Sequence, residues 1–219
     1  MPRKQFDLIV FDWDGTLMDS TAMIVQSIQG AAQDLGLPVP TDSAAAHVIG
    51  LGLQEALSLV FPGLDAKWTA RIVERYRYHY LLRDHTLPLF PGVQEMLEDL
   101  KQEAYFLAVA TGKSRVGLNR AMESAGLSAM FDTTRCADET FSKPHPAMLH
   151  EITRTLGQDM QRTLMIGDTT HDLQMAANAG ASAVAVEYGA HERADLHAMQ
   201  PLYSAMSVPA LHRWLLDHA

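Results

Sequence analysis

The strongest constraint on the fold is the alternation of short apolar runs with segments of helical spacing. Apolar runs of four or five residues bounded by polar residues are typical of strands buried on both faces of a parallel sheet. The runs comprise residues 8–11, 106–110, 163–166 and 183–186. Repetition of strand and helix with short loops predicts an α/β fold built on a doubly wound parallel sheet. Right-handed crossovers would place the carboxyl ends of these strands on one side, where ligands usually bind.

One long stretch breaks this alternation. Between Ser20 and about Asp84 the chain has helical spacing and no strand-like run. We therefore predict an all-helical cap domain over residues 18–86, inserted into an α/β core formed by residues 1–17 and 87–219. Such an insertion could act as a lid or could be a static decoration, and the spacing alone favours neither.

Composition excludes several classes of partner. The 219 residues carry 17 basic and 26 acidic side chains, a formal charge of -9, with no basic run, so we expect no nucleic-acid partner. The first apolar run ends at Asp12 and is too short to be the apolar region of a signal peptide. No apolar stretch approaches the roughly 18 to 20 residues of a spanning helix. Cys136 is the single cysteine and cannot form an internal disulfide. We expect a soluble cytoplasmic protein with no membrane partner.

Two aspartates, Asp12 and Asp14, directly follow the first apolar run. Residues two apart on a strand project to the same side, and Gly15 then permits a tight turn. Two like charges this close repel each other. A divalent cation would neutralise that repulsion and leave one carboxylate free for nucleophilic or proton-transfer chemistry. Trp13 lies between the aspartates and would face the other way, so we interpret it as a packing residue.

The second apolar run ends in Thr111 and Gly112. A strand-end hydroxyl beside a permissive backbone could hold an anion, although a turn or helix-entry role also explains a threonine there. The sequence Gly112-Lys113-Ser114 resembles the tail of a Walker A motif. That motif needs a glycine five positions before Gly112, and Leu107 stands there, so we reject it.

Two further charged elements follow. Lys143 is held by Pro144 just ahead of an amphipathic helix, which could aim its ammonium at a fixed target. Asp168 follows the apolar run 163–166, and Asp172 lies four residues later, at the start of a predicted helix. A helix-capping role is the alternative explanation for Asp172.

Together these elements resemble the motifs of the haloacid dehalogenase superfamily of phosphotransferases. They occur in the superfamily's order and span nearly the whole chain, as Asp12-Trp13-Asp14-Gly15-Thr16, Thr111, Lys143-Pro144 and Gly167-Asp168 followed by Asp172. The resemblance implies a Rossmann-like doubly wound core with a small helical cap, similar to that of phosphoglycolate phosphatases. It favours the lid over the static decoration.

The resemblance implies a role for each acidic residue. Asp12 would be the nucleophile, forming an aspartyl-phosphate, and Asp14 would be the general acid and base. Asp14 would then need a higher pKa than Asp12, and a less compensated setting for Asp14 could provide it. Mg2+ would be bound by the Asp12 carboxylate, the Asp14 backbone carbonyl and Asp168, with Asp172 as a supporting acidic residue.

The resemblance also implies the phosphate contacts. Thr111, the amide of Gly112 and Lys143 would bind the transferring phosphoryl oxygens. In the cap, the turn Gly50-Leu51-Gly52 could reach the substrate, although loop formation alone also explains its glycines.

The implied function is a Mg2+-dependent phosphatase for a small phosphorylated metabolite, with phosphoglycolate as the best single candidate. A phosphomutase and a pyrophosphatase or nucleotidase of the same family remain open. A signalling phospho-acceptor is disfavoured by the chain length, the helical insertion and Asp14. Dehalogenases of this fold lack the second aspartate, so Asp14 favours phosphoryl transfer over attack on carbon. The sequence does not predict the oligomeric state.

Overall fold

The computed structural model describes residues 4–84 and 87–219, which contain one six-stranded parallel sheet. The strands are β1 (Leu8–Phe11), β2 (Phe106–Thr111), β3 (Thr133–Cys136), β4 (Thr163–Gly167), β5 (Ser182–Val186) and β6 (Tyr203–Ala205). Their order across the sheet is β3-β2-β1-β4-β5-β6, which reverses direction at β1. This arrangement confirms the predicted doubly wound α/β fold.

Helices connect the strands and form the insertion. They are α1 (Thr21–Asp34), α2 (Asp42–Ala46), α3 (Leu53–Val60), α4 (Ala66–Leu81), α5 (Val93–Gln102), α6 (Arg115–Ser124), α7 (Ala147–Leu156), α8 (Thr170–Ala179), α9 (Arg193–Ala198) and α10 (Val208–His218), with a 3-10 turn at Met160–Arg162. Several begin at side-chain caps, as α6 does at Ser114, whose hydroxyl accepts from the amide of Gly117.

The register of the central strands aligns their carboxyl ends. Phe11 of β1 lies opposite Val109 of β2 on one side and Ile166 of β4 on the other. The residues that follow these three strands therefore emerge at the same edge of the sheet. This edge lies beside the reversal of strand order, the usual place for a ligand in a doubly wound sheet.

The two faces of the sheet are covered by different helices. Ile9 and Phe11 of β1 lie in an apolar cluster with α5, α6 and α10, whereas Leu8 and Val10 pack with α7 and α8. This alternation explains why β1 is apolar at every position, since each face of a parallel sheet is buried. Trp13 is fully buried and makes an edge-to-face contact with Phe131 at 6.3 Å, which confirms its packing role.

The two outer strands, β3 and β6, were not predicted. The first three residues of β3 are only half-buried and include Arg135, while β6 has just three residues. An edge strand is paired on one side only and has less apolar surface to bury, so it does not produce a continuous apolar run. The apolar pattern identified only strands in the middle of the sheet.

The inserted segment forms a helical layer with its own core. Side chains from α1 to α4, including Ile28, Leu57 and Ile72, form an apolar cluster separate from those of the sheet. The predicted helical spacing is confirmed, although α2 is too short to show a period. The boundaries 1–17, 18–86 and 87–219 remain predictions, and His85 and Thr86, at the second boundary, lie outside the described residues.

Within the described residues, every helix is too short or too polar to cross a membrane.

Substitutions of two neighbouring leucines of α10 test which face of this helix packs on the sheet. Leu215 is completely buried, whereas Leu216 is 49% exposed. We expect Leu215→Ala to lower the free energy of unfolding by about 2 to 5 kcal/mol, because it leaves a cavity under the sheet. Leu216→Ala is the matched control and should change it by about 0.5 kcal/mol or less. Urea denaturation of both variants measures the difference, and equal losses would contradict this placement of α10.

Candidate active site

The carboxyl ends of β1 and β4 and the loop before α7 bring four charged residues together. The Nζ atom of Lys143 lies 2.8 Å from Oδ1 of Asp12 and 2.7 Å from Oδ1 of Asp172. All three side chains are buried, and Asp168 is buried beside them. The structure thus brings together charged residues predicted from three separate parts of the sequence. These are Asp12 after the first apolar run, Lys143 before Pro144, and Asp168 with Asp172 after the run 163–166.

The turn that carries Lys143 is fixed on both sides. The amide of His145 donates to the carbonyl of Ser142 at 3.0 Å, and the side chain of Asn178 donates to the carbonyl of Pro144 at 2.9 Å. The second bond ties the turn to α8, which also carries Asp172. The ammonium therefore points inward from an anchored backbone, as the sequence predicted.

Asp12 is held in a setting that disfavours its charge. Burial raises the pKa of the Asp12 carboxyl well above its usual value, and the Asp172 and Asp168 charges add to this, with Lys143 partly offsetting them. Its Oδ1 atom also accepts from the Trp13 amide at 2.6 Å. Burial alone would lower the pKa of Lys143, but Asp12 and Asp172 outweigh it and raise that pKa.

Asp168 occupies a close-fitting backbone pocket. Its oxygens accept from the hydroxyl of Thr16 at 2.7 Å and from the amide of Ala190 at 2.8 Å. Burial, reinforced by Asp172, raises the pKa of Asp168 to about 7. A Cβ atom at Gly15 or at Gly189 would overlap the Asp168 side chain. Gly189 was missed from the sequence because it lies in a loop without a recognisable motif.

Asp172 caps a helix and also joins the charged cluster. Its Oδ2 accepts from the amide and hydroxyl of Thr169, at 3.1 and 2.6 Å, in a capping box that begins α8. Its Oδ1 faces Lys143. One carboxylate therefore caps the helix and also joins the charged cluster, so capping and site support are not alternatives here.

The acidic cluster fits a hard divalent cation. Oxygen atoms of Asp12, Asp168 and Asp172 all lie within 4.8 Å of one another. Among the described residues, the buried Oδ2 of Asp12 has no hydrogen-bond partner. Lys143 alone cannot balance three ionised carboxylates, and carboxylate oxygens are the ligands that such cations prefer. The side chain of Asp14 is not a member of this cluster, in keeping with its predicted contact through the backbone.

Asp14 has a cationic partner that the sequence analysis missed. Its Oδ1 accepts from the hydroxyl of Ser20 at 2.6 Å and lies 3.1 Å from Nζ of Lys113. Lys113 also donates to the hydroxyl of Tyr80, in the cap helix α4, at 2.7 Å. The expected less compensated setting for Asp14 is therefore wrong. The only sequence signal for this contact was the position of Lys113 just after the end of a strand. Its partners Asp14 and Tyr80 lie in distant segments of the chain, so the sequence did not reveal the pairing.

The remaining predicted residues lie where cap and core meet. Thr111 is buried, and its hydroxyl accepts from the amide of Lys113 at 3.2 Å. A Cβ atom at Gly112 would overlap the carbonyl oxygens of Gly50 and Leu51, so the cap turn rests directly on this glycine. The amide of Gly52 donates to the hydroxyl of Ser142 at 2.9 Å. The turn thus borders the site, and its contact with substrate remains a prediction.

A histidine cluster forms another contact between cap and core. The carbonyl of His47, at the end of α2, lies 2.9 Å from Nε2 of His171 and 3.1 Å from Nε2 of His191. The rings of His47 and His191 stack at 5.0 Å. Burial is the main cause that lowers the pKa of both core histidines, that of His191 to about 4, so they are neutral at pH 7.

A cavity of about 740 Å³ lies between the cap helices and the sheet edge. Asp12, Asp14, Thr111 and Gly112 line it on the core side, together with residues of α6 and of the loop before α7. The helices α1, α3 and α4 and the segment 48–52 line it on the cap side. The site is therefore a charged floor at the bottom of a chamber roofed by the cap. A substrate bound there would be in contact with both parts of the molecule.

Comparisons with known proteins agree with this geometry. The sequence profile described as haloacid dehalogenase-like hydrolase matches residues 9–186. A Dickeya dadantii protein named probable phosphatase IndB is 40% identical over 202 residues, covering 89% of this chain and 86% of its own. A phosphoglycolate phosphatase from Aliivibrio fischeri is 34% identical, with coverage of 90% and 91%.

A solved structure is also similar. A hydrolase from Pseudomonas syringae superposes with a TM-score of 0.89 over 97% of this chain and 99% of its own, at 22% identity. At that identity the likeness supports the fold alone, and the family follows from the profile match and the sequence relatives. The chain belongs to the haloacid dehalogenase-like hydrolase family.

Proposed function

We propose that the protein is a Mg2+-dependent phosphatase that hydrolyses a small phosphorylated metabolite through an aspartyl-phosphate intermediate. The observation that carries the proposal is the buried contact of Lys143 with Asp12, at the floor of a chamber that Asp14 also lines. A carboxylate held beside a buried cation in a cavity suits attack on a dianionic phosphate. The names of the Dickeya and Aliivibrio relatives support phosphatase activity.

In the proposed mechanism, Asp12 attacks phosphorus in line with the leaving oxygen. The electron pair of the breaking P–O bond leaves with the alkoxide, which takes a proton from Asp14. Lys143 and the amide of Gly112 offset the negative charge on the phosphoryl oxygens, and Thr111 donates its hydroxyl to one of them. Asp14 then removes a proton from the water that attacks the aspartyl-phosphate, which regenerates Asp12 and releases orthophosphate.

Mg2+ would be held by the Asp12 carboxylate, Asp168 and the carbonyl of Asp14, with Asp172 in support. When bound, the ion supplies charge neutralisation at the phosphoryl group. The unpartnered Oδ2 of Asp12 supports a cation at this position, because this buried carboxylate oxygen has no hydrogen-bond donor.

Asp12→Asn tests the nucleophile. We expect orthophosphate release to fall by about 10³-fold or more, because an amide does not attack phosphorus. The fold should persist, since burial already disfavours the Asp12 charge and the amide oxygen can still accept from the Trp13 amide. Colourimetric phosphate release and the thermal unfolding midpoint measure the two properties. Retained release in a folded variant would remove the central assignment.

The same assay separates a phosphatase from a phosphomutase. If the wild-type protein converted one sugar phosphate into another without releasing orthophosphate, the result would favour a phosphomutase.

Asp14→Asn separates proton transfer from metal binding. We expect kcat to fall by about 10²- to 10⁴-fold, because both half-reactions lose their acid or base. Only the backbone carbonyl of Asp14 is a proposed ligand, so the rise in unfolding temperature on adding Mg2+ should persist. Asp168→Asn is the matched control, and it should abolish both the activity and this rise. Loss of the Mg2+ response in the Asp14 variant would contradict the division of roles.

Removal of the metal should stop turnover reversibly, and metal binding should depend on pH. We expect EDTA to abolish phosphate release and Mg2+ to restore it. Asp168 and Asp12 bind protons more readily than ordinary aspartates, so protons compete with Mg2+ as the pH falls through about 7. Titration calorimetry should therefore give a weaker Mg2+ affinity at pH 6 than at pH 8, by about tenfold. Undiminished activity in EDTA would contradict the metal requirement.

A further inference from the structure

The cap is seated on the core in this structure. The turn Gly50-Leu51-Gly52 rests on Gly112. Tyr80 accepts from Lys113, and the carbonyl of His47 lies within hydrogen-bond distance of two core histidines. These contacts come from three different parts of the cap. The volume of the cavity beneath the cap is therefore not caused by displacement of the cap from the core.

The cavity, which we call the cap chamber, is lined by residues of the cap and of the sheet edge. Its cap side combines apolar with polar side chains: the apolar ones include Ile24, Ile28, Ile49, Leu53 and Leu57, and the polar ones are Gln54, Glu55, Arg77 and Tyr80. Four of these five apolar residues are at least nine-tenths buried, and Leu53 is half-buried. The aromatic ring of Tyr76 extends this wall along α4. The apolar part of this wall recognises apolar surface, because it cannot hydrogen-bond to polar groups.

Two of the cationic side chains that line the chamber already have acidic partners. Lys113 is paired with Asp14 and donates to Tyr80. Arg120, which also lines the chamber, is paired with Asp84 at 2.6 Å. In this structure neither of these two cations is left unpaired for an acidic leaving group.

The size of the chamber disfavours a short leaving group. Its volume of about 740 Å³ lies within the range of pockets that enclose ligands much larger than a two-carbon acid, roughly 300 to 1,000 Å³. A short ester would leave the apolar part of the wall in contact with water. An alcohol with a ring or a branched chain would displace that water and bury apolar surface.

We infer that the preferred substrates are phosphomonoesters of bulky apolar alcohols, with an aromatic or branched group that occupies the cap chamber. Phosphoglycolate, by contrast, would use only the floor of the site. This inference rests on the proposed phosphatase function and narrows its substrate class. It assigns the apolar residues of α1 and α3 to the selection of the leaving group.

A pair of simple esters tests this inference on the full chain with Mg2+. Benzyl phosphate and ethyl phosphate release alkoxides of similar basicity, so a difference between them reports contact with the leaving group. We expect kcat/KM for benzyl phosphate to exceed those for ethyl phosphate and phosphoglycolate by about tenfold or more. Equal or reversed preference would overturn the inference and leave the phosphatase assignment intact. Orthophosphate release from none of these esters would overturn both.

Two leucines of α3 give matched variants. Leu53 lines the chamber, whereas Leu59 is 60% exposed and is not among the chamber residues. Leu53→Asn should reduce the preference for benzyl over ethyl phosphate by about fivefold or more, because it places an amide in the apolar wall. Leu59→Asn introduces the same group on the same helix and should keep the wild-type preference. A preference unchanged in both variants would count against the chamber as the selecting element, and thermal unfolding confirms that both are folded.

Discussion

The buried ammonium of Lys143 is the interaction on which the rest of the site depends. It lies between Asp12 and Asp172, which come from the end of β1 and the first turn of α8. Without it, two carboxylates would face each other in a medium that screens charge poorly, a cost of several kcal/mol per unpaired ion. The pairing requires β1 and β4 to end at the same level, so the sheet register is a condition of the chemistry.

The cluster nevertheless contains more negative than positive charge. Lys143 faces Asp12 and Asp172, while the pKa of the neighbouring Asp168 is raised to about 7 by burial and by Asp172. A protein that needed these residues only for stability would gain by replacing one of them with an apolar side chain. The imbalance is understandable if a divalent cation completes the site. Perturbed groups of this kind are typical of functional sites.

The sequence predicted the charged residues of the site and the presence of a helical cap, but not the contacts by which the cap packs on the core. The difference has a physical reason. Asp12, Lys143 and Asp168 belong to short local patterns at strand ends, and parallel strands bring such ends together whatever the details of packing. The pair of Lys113 with Tyr80 joins residues 33 positions apart across two layers, so it depends on how the cap rests on the core. Likewise, the volume of the cap chamber depends on how the cap packs on the core, and the spacing of residues in the sequence does not predict it.

Gly112 connects the cap to the charged floor of the site. Its missing side chain lets the carbonyls of the cap turn approach, and its amide is a proposed contact for the phosphate. A larger residue would therefore disturb cap seating and phosphate binding together. By contrast, most of the apolar wall of the chamber lies on α1 and α3, which contribute no residue to the charged floor. Substitutions in that wall can alter which alcohol is accepted while the charge balance around Asp12 stays the same.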